Sequence, residues 1–141
     1  MSSPLVDALG LEPHPEGGWF RQTWQAPEDL ETSDGRIRST ATLILFLLHA
    51  GESSAWHRVS SDEIWLAHLG AVTIEFGGDD TQPLPGDREV VGIDIEAGQT
   101  PQVVVPAGMW QRTIPGDDDA LVSCVVSPGF DFADFELHRP T

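Results

Sequence analysis

The chain is 141 residues long with a formal net charge of −16, from 23 acidic residues against seven arginines and no lysine. Phosphate backbones and anionic lipid surfaces are held by clustered cations, so this balance argues against nucleic acid and against a membrane surface as partners. The length suits one domain, residues 1–141, whose core needs no disulfide or metal staple, and the lone Cys124 has no partner within the chain.

Ser3 followed by Pro4 reads as a helix cap and first turn, with Leu5, Val6, Ala8 and Leu9 as the apolar face and Gly10 as the stop. This start lacks the basic residues and long apolar run of a secretory signal, so a cytoplasmic protein is the expectation. Pro13, Pro15, Gly17 and Gly18 bar a helix after it, and Trp19–Trp24 has the content of a strand. Ala26–Gly35 is polar and acidic, hence a loop. Arg38–Ala50 is a mostly apolar strand, long enough to be buried on both faces, and its apolar part, Leu43–Ala50, is too short and too interrupted for a bilayer. Ala71–Phe76, Val90–Ile95, Gln102–Val105, Gln111–Ile114 and Leu121–Val126 are further strands, separated by Gly, Pro and Asp turns. Cys124 lies inside an apolar run and reads as a buried thiol rather than a nucleophile. Phe130–Leu137 alternates aromatic and acidic residues, which suits a final strand or a partner contact. Short strands at this spacing predict an all-β sandwich or barrel of the jelly-roll type behind a short N-terminal helix.

Gly51–Gly70 holds the chemistry. Five residues separate Gly51 from His57, three separate Val59 from Glu63, and six separate Glu63 from Gly70. On a strand His57 and Val59 share a face, and a tight turn through Ser60, Ser61 and Asp62 returns Glu63 beside them, so an imidazole and a carboxylate converge. The spacing resembles the first motif of the cupin superfamily, in which the position of Val59 is a second histidine. Pro106-Ala107-Gly108-Met109-Trp110-Gln111 resembles the second motif, in which the position of Gln111 is a histidine. The opening His14-Pro15-Glu16-Gly17-Gly18-Trp19-Phe20-Arg21-Gln22-Thr23 closely resembles that of an uncharacterised cupin subfamily, similar in fold to the dTDP-sugar 3,5-epimerases. That subfamily usually carries Glu at the position of Gln22. The resemblance implies a cupin jelly-roll barrel, the double-stranded β-helix, with ligand-binding side chains on its inner face.

Alternation then sorts the side chains. His57, Glu63, Trp65, Ala67, Gln111 and Thr113 face in, and Arg58, Ile64, Leu66, His68 and Arg112 face out. Arg21 and Arg38 remain as candidates to meet a ligand, and Trp19, Trp65 and Trp110 with Gln111 complete a mostly apolar pocket. His14, His49, His68 and His138 read as surface or hydrogen-bonded core histidines. Gly17, Gly18 and Gly108 are expected at turns with positive φ or in close backbone contact.

Two readings of function follow, with a third behind them. In the first, the barrel is an isomerase or epimerase acting on a sugar or related carbonyl compound, with His57 as base and Glu63 polarising it; the related epimerases use a tyrosine acid, and this chain has no tyrosine. In the second, the same pocket binds a small, sugar-like ligand without chemistry. The third is a weakly metal-dependent enzyme, whose divalent ion has only His57, Glu63 and Gln111 as ligands, since Val59 supplies no donor; no tightly held cofactor is expected. Outward apolar residues on the motif strands and the aromatic tail predict a homodimer.

Overall fold

The computed structural model describes residues 4–139. Helix α1 (Pro4–Leu9) begins on the fixed φ of Pro4 and stops at Gly10, whose φ is 65°; its predicted cap, Ser3, lies outside the described residues. Strands β1 (Glu12–Pro13) and β2 (Trp19–Gln25) form the first antiparallel pair. The stretch read as a loop instead carries β3 (Asp29–Glu31), paired with β4 (Ile37–Ser39) as a two-stranded hairpin. The long strand expected from Arg38 is therefore two: the chain breaks at Thr40 and Ala41, and β5 runs Thr42–Leu48.

Next come β6 (His57–Val59), β7 (Asp62–Leu69), β8 (Ala71–Phe76), β9 (Arg88–Gly92), a 3-10 turn at Ile95–Ala97, β10 (Gln102–Val105), β11 (Gln111–Ile114) and β12 (Ala120–Ser127). A second 3-10 turn, Phe132–Asp134, leads into β13 (Phe135–Leu137), so the aromatic tail adds a strand to its own chain by pairing with β6. Ile95, expected to extend β9, falls in the 3-10 turn, where the Asp94 side chain accepts from the Ala97 amide.

The strands make a jelly roll of two facing antiparallel sheets, ordered β1-β2-β5-β12-β7-β10 and β13-β6-β11-β8-β9. Phe46, Leu48, Trp65, Val72, Ile74, Val91, Val103, Val105, Val122 and Cys124 fill the space between them. Alternation gives β5 a second buried face. Leu47 and Leu121 point away from that core, and α1 covers them with Val6, helped by Leu11 and Trp19. The apolar run of β5 was legible as two-faced, and the covering element is the short helix. No helix among the described residues is long and apolar enough to cross a membrane.

The turn from His14 to Gly18 fixes the barrel's open end. The His14 amide donates to Gly18 O at 2.9 Å, the Gly17 amide to His14 O at 3.0 Å, and the Ala55 amide to Glu16 O at 2.7 Å. Gly17 has φ 109° and a Cβ there would overlap the Ser53 carbonyl oxygen; a Cβ on Gly18, φ 78°, would sit 2.8 Å from the Phe46 ring. Gly108 also has positive φ, 80°, but open space around it. Alanine at Gly18 is accordingly expected to cost about 3 kcal/mol, and at Gly108 about 1 kcal/mol, the strain of the left-handed region alone. Thermal melts check this: a Gly108→Ala protein melting below Gly18→Ala reverses the expected order.

Candidate functional site

One cavity brings together two histidines and two glutamates. It is lined by His14, Glu16, Phe20, Gln22, Ile44, His57, Val59, Glu63, Val126, Phe130, Phe132 and Phe135, and has about 60 Å³ open to the centre of a water-sized sphere. That is room for about five water-sized atoms. Gln22 and Phe132 are exposed, so they mark its mouth, whereas His57 and Glu63 are buried at its floor. Both sheets contribute. β2, β5, β7 and β12 bring Phe20, Gln22, Ile44, Glu63 and Val126, β6 brings His57 and Val59, and the segment after β12 closes the side with three phenylalanines.

The imidazoles have assigned roles because their partners are unambiguous. Nδ1 of His57 lies 2.7 Å from Ala55 O, and a carbonyl only accepts, so Nδ1 carries the proton and Nε2 presents a lone pair. Nε2 is 3.1 Å from Glu16 Oε2, but the two are not aligned as a hydrogen bond, and Glu16 Oε2 is buried with no hydrogen-bond partner. Nδ1 of His14 accepts from the Glu16 amide at 3.1 Å, which puts the His14 proton on Nε2. Burial lowers the pKa of His57 to about 4, and burial with the neighbouring His57 lowers His14 to about 4, so both rings are neutral at physiological pH.

The carboxyls move the other way. Burial, then repulsion from Glu63, pushes Glu16 well above the usual carboxylate range, although a Ser54 hydrogen bond opposes it. Burial raises Glu63 to about 7, against hydrogen bonds from Gln111 and Cys124. The Gln111 amide nitrogen donates to Glu63 Oε1 at 2.7 Å, and its oxygen accepts from Trp65 Nε1 at 3.1 Å, a chain that fixes the Glu63 carboxyl from behind. The same burial, with Glu63 and Glu16 nearby, raises the Cys124 thiol far up, so it stays protonated.

The expected site residues divide accordingly. His57 and Glu63 line the cavity; Gln111 and Trp65 stand behind it as supports. The sequence led to the expectation that Glu63 orients His57; in the structure Ala55 O does so instead, and Glu16 is the carboxyl beside the ring. Trp19 packs with α1 outside the barrel and donates to Glu52 at 3.3 Å. Arg21 is exposed and donates to Leu9 O, Arg38 is paired with Asp134 at 2.7 Å, and Trp110 donates to Asp80 O at 2.8 Å under the Arg58 guanidinium. None of these four lines the cavity. The residues that sequence reasoning passed over are His14, Glu16 and the phenylalanine wall. Their signal was the pair of glycines after Glu16, which bends the chain back onto the barrel.

The donor set does not fit a cupin-type metal ion. Val59 offers no lone pair, and both ends of the Gln111 amide are already used, by Trp65 and by Glu63. Among the described residues no group of three or more His, Cys, Asp or Glu side chains is disposed to hold a metal.

Comparison with known proteins places this geometry. The family model described as Cupin superfamily (DUF985) matches residues 3–138. The chain belongs to this cupin family. An uncharacterised protein of Saccharomyces cerevisiae is 29% identical over 146 residues, covering 92% of this chain and 71% of the yeast protein. Among solved structures, a hypothetical protein from Leishmania major superposes with a TM-score of 0.84 at 32% identity, covering 95% of this cupin and 85% of that chain. A protein from Shewanella oneidensis gives a TM-score of 0.81 at 35% identity, covering 98% and 85% respectively.

The raised pKa of Glu63 has a direct effect on stability. Between about pH 4.5 and 7 the unfolded chain has released this proton and the folded cupin has kept it, so Glu63 lowers stability as pH rises through that window and no further above it. For this buried group the loss is on the order of 3 kcal/mol. Glu63→Gln is expected to gain about that much relative to wild type between pH 4.5 and 8 in denaturant melts. A constant difference across that range contradicts the buried, protonated carboxyl.

Proposed function

We propose that this cupin catalyses proton transfer next to a carbonyl group, an isomerase-type reaction on a small molecule. The observation that supports the reading is the pairing, in one mostly apolar cavity, of a neutral imidazole with its Nε2 lone pair available and carboxyl groups that keep their protons near neutral pH. His57 Nε2 takes the proton from the carbon beside the carbonyl, the C–H electron pair moves to form the C=C bond, and the carbonyl oxygen receives the proton of Glu63. Return of a proton to a different carbon or a different face gives the isomer and restores both groups. Glu16, held protonated, stabilises the imidazolium's neighbourhood and donates to the oxygen as charge develops. The carboxyls thus fill the acid role that a tyrosine fills in the epimerases.

The lining favours a compact carbonyl compound over a sugar. Phe20, Ile44, Val59, Val126 and the three phenylalanines of the mouth offer a polyol few hydrogen bonds. No metal is needed for these steps. The runner-up, a cupin that holds such a ligand without turning it over, shares the cavity and differs only in whether His57 acts.

The test uses three- to five-carbon aldehydes and ketones in D₂O, with proton loss beside the carbonyl followed by NMR in the presence of a chelator. Wild type is expected to catalyse exchange that rises above about pH 4 as His57 becomes free and falls above about pH 7 as Glu63 ionises. His57→Gln is expected to lose at least a hundredfold, within the usual range for a general base. Binding without exchange in wild type supports the non-catalytic reading instead.

We also propose that the outer face of the six-stranded sheet is covered by a second copy. Trp24, Leu43, Val125, Ile64 and Val104 lie in register across five elements of the sheet's outer surface, β2, β5, β12, β7 and β10. Trp24 is 49% and Val104 56% exposed, an apolar row that a monomer leaves in water. Light scattering is expected to give twice the chain mass at micromolar concentration, and Val104→Asp to halve it.

A further inference from the structure

The cavity combines two features that the proton-transfer steps do not require together. Its polar pole holds two carboxyl groups, Glu16 and Glu63, and no arginine or lysine lines it. The titratable groups that face Glu63 are Glu16 and the Cys124 thiol, with His57 and His14 on the Glu16 side, and none of the histidines is charged at neutral pH. An anionic ligand would therefore meet no positive charge here, only neutral imidazoles and carboxyls whose ionisation would repel it. Glu16 Oε2, on a side chain only 10% exposed, lines the cavity with no hydrogen-bond partner. A buried polar atom left without a partner is costly, so a group that supplies a donor or a positive charge at this point is strongly favoured.

Beside these groups the lining is aromatic, with Phe135 stacked on His57 at 5.7 Å and Phe132 6.1 Å from His14. The ring centroids of Phe130 and Phe132 are 4.8 Å apart at 84°, those of Phe130 and Phe135 6.1 Å apart at 69°, and those of Phe132 and Phe135 6.0 Å apart at 76°. Three rings at such mutual angles stand like the walls at a corner, and Phe20 adds a fourth ring to the lining, edge-on to His14 at 4.6 Å. Aromatic faces attract cations, and corners of aromatic rings are the usual means of holding a quaternary ammonium. The wall is also held firmly: Asp134, between Phe132 and Phe135, is paired with Arg36 at 2.8 Å and Arg38 at 2.7 Å. The chain's net charge of −16 raises the local concentration of small cations around it.

We infer that the cavity takes a small organic cation, an amine or ammonium compound of about five non-hydrogen atoms, its positive group between the phenylalanine corner and the Glu16 and Glu63 carboxyls. In the proton-transfer reading this makes the substrate a carbonyl compound that bears an amino or ammonium group. The inference rests on that reading only for the cavity it shares, because it uses the carboxyls and the rings and not His57 as a base. Binding of a cation draws one of the two carboxyls into its charged form and releases its proton to solvent, while the other keeps its proton and remains the acid.

Tetramethylammonium and the neutral tert-butanol, which are of similar size and shape, separate charge from fit. Titration calorimetry at pH 6 and pH 8 is expected to show tetramethylammonium binding about tenfold more tightly at pH 8, with proton release at pH 6, and tert-butanol binding weakly and without pH dependence. Glu63→Gln is expected to weaken cation binding and flatten its pH dependence, with Glu16→Gln as the second carboxyl variant. Phe130→Leu should weaken binding but keep the pH dependence. Saturable tetramethylammonium binding by a wild type that shows no carbon–hydrogen exchange upholds the cation site and sinks the proton-transfer reading, and exchange without cation binding does the reverse, so the two failures give different results. Equal affinity for tert-butanol, no saturable cation binding up to tens of millimolar, or carboxyl variants that bind unchanged would each overturn the inference.

Discussion

Two buried carboxyls without a cation to neutralise them set the character of this molecule's interior. Carboxylates are tolerated inside proteins when an arginine, lysine or metal stands beside them, and Glu75 on the far sheet shows the ordinary solution, with Arg88 at 3.0 Å on one side and the Arg112 guanidinium on the other. That arrangement keeps Glu75 below the usual carboxylate range. Glu16 and Glu63 have no such partner, so burial keeps their protons on. Everything around them follows from that constraint. His57 and His14 are held neutral in the same dry space, Gln111 presents an amide rather than a charge, and Trp65 locks the Gln111 oxygen so that its NH₂ must face Glu63.

The departures from the cupin motifs acquire a physical meaning in this light. With histidine at position 59 and at position 111, the barrel floor would offer three imidazoles to an ion. Val59 instead gives the cavity an aliphatic wall, and Gln111 becomes the clamp of a protonated acid. The polar centre thereby extends from His57 and Glu63 on the motif strands to the turn that precedes β2, where Glu16 comes within 3.1 Å of His57. What was a coordination sphere in the motif is here a neutral imidazole and two carboxyl groups facing a shared space.

How much of this could be read from the sequence depends on which physical rule each part obeys. The barrel, the inward set His57, Glu63, Trp65, Gln111 and Thr113, and the outward Arg58 and Arg112 follow from period-two alternation, which is local and strict. The break at Thr40 and Ala41 and the β3–β4 hairpin were hidden because acidic composition resembles a loop whether or not its backbone pairs. The placement of Trp19, Arg21, Arg38 and Trp110 was misjudged for a different reason: nearness to a motif in sequence says nothing about which side of a sheet, or which end of a barrel, a neighbouring segment reaches. Glu16 was missed because its position depends on a non-local hydrogen bond, the Ala55 amide to Glu16 O, between segments that no periodicity links. The phenylalanine wall depends likewise on β13 pairing with β6 across most of the chain.

That wide sourcing of the cavity wall has a thermodynamic consequence. The lining runs from His14 to Phe135 and takes side chains from both sheets, the opening turn and the closing strap. A molecule seated there touches parts of the chain that come together only when the whole barrel is formed, so no partly folded species can hold it well. Its binding free energy is therefore added to the global folding equilibrium, growing with the logarithm of ligand concentration above the dissociation constant. The fold carries the desolvation cost of its two carboxyls, and a ligand that satisfied them would return part of that cost as folding stability.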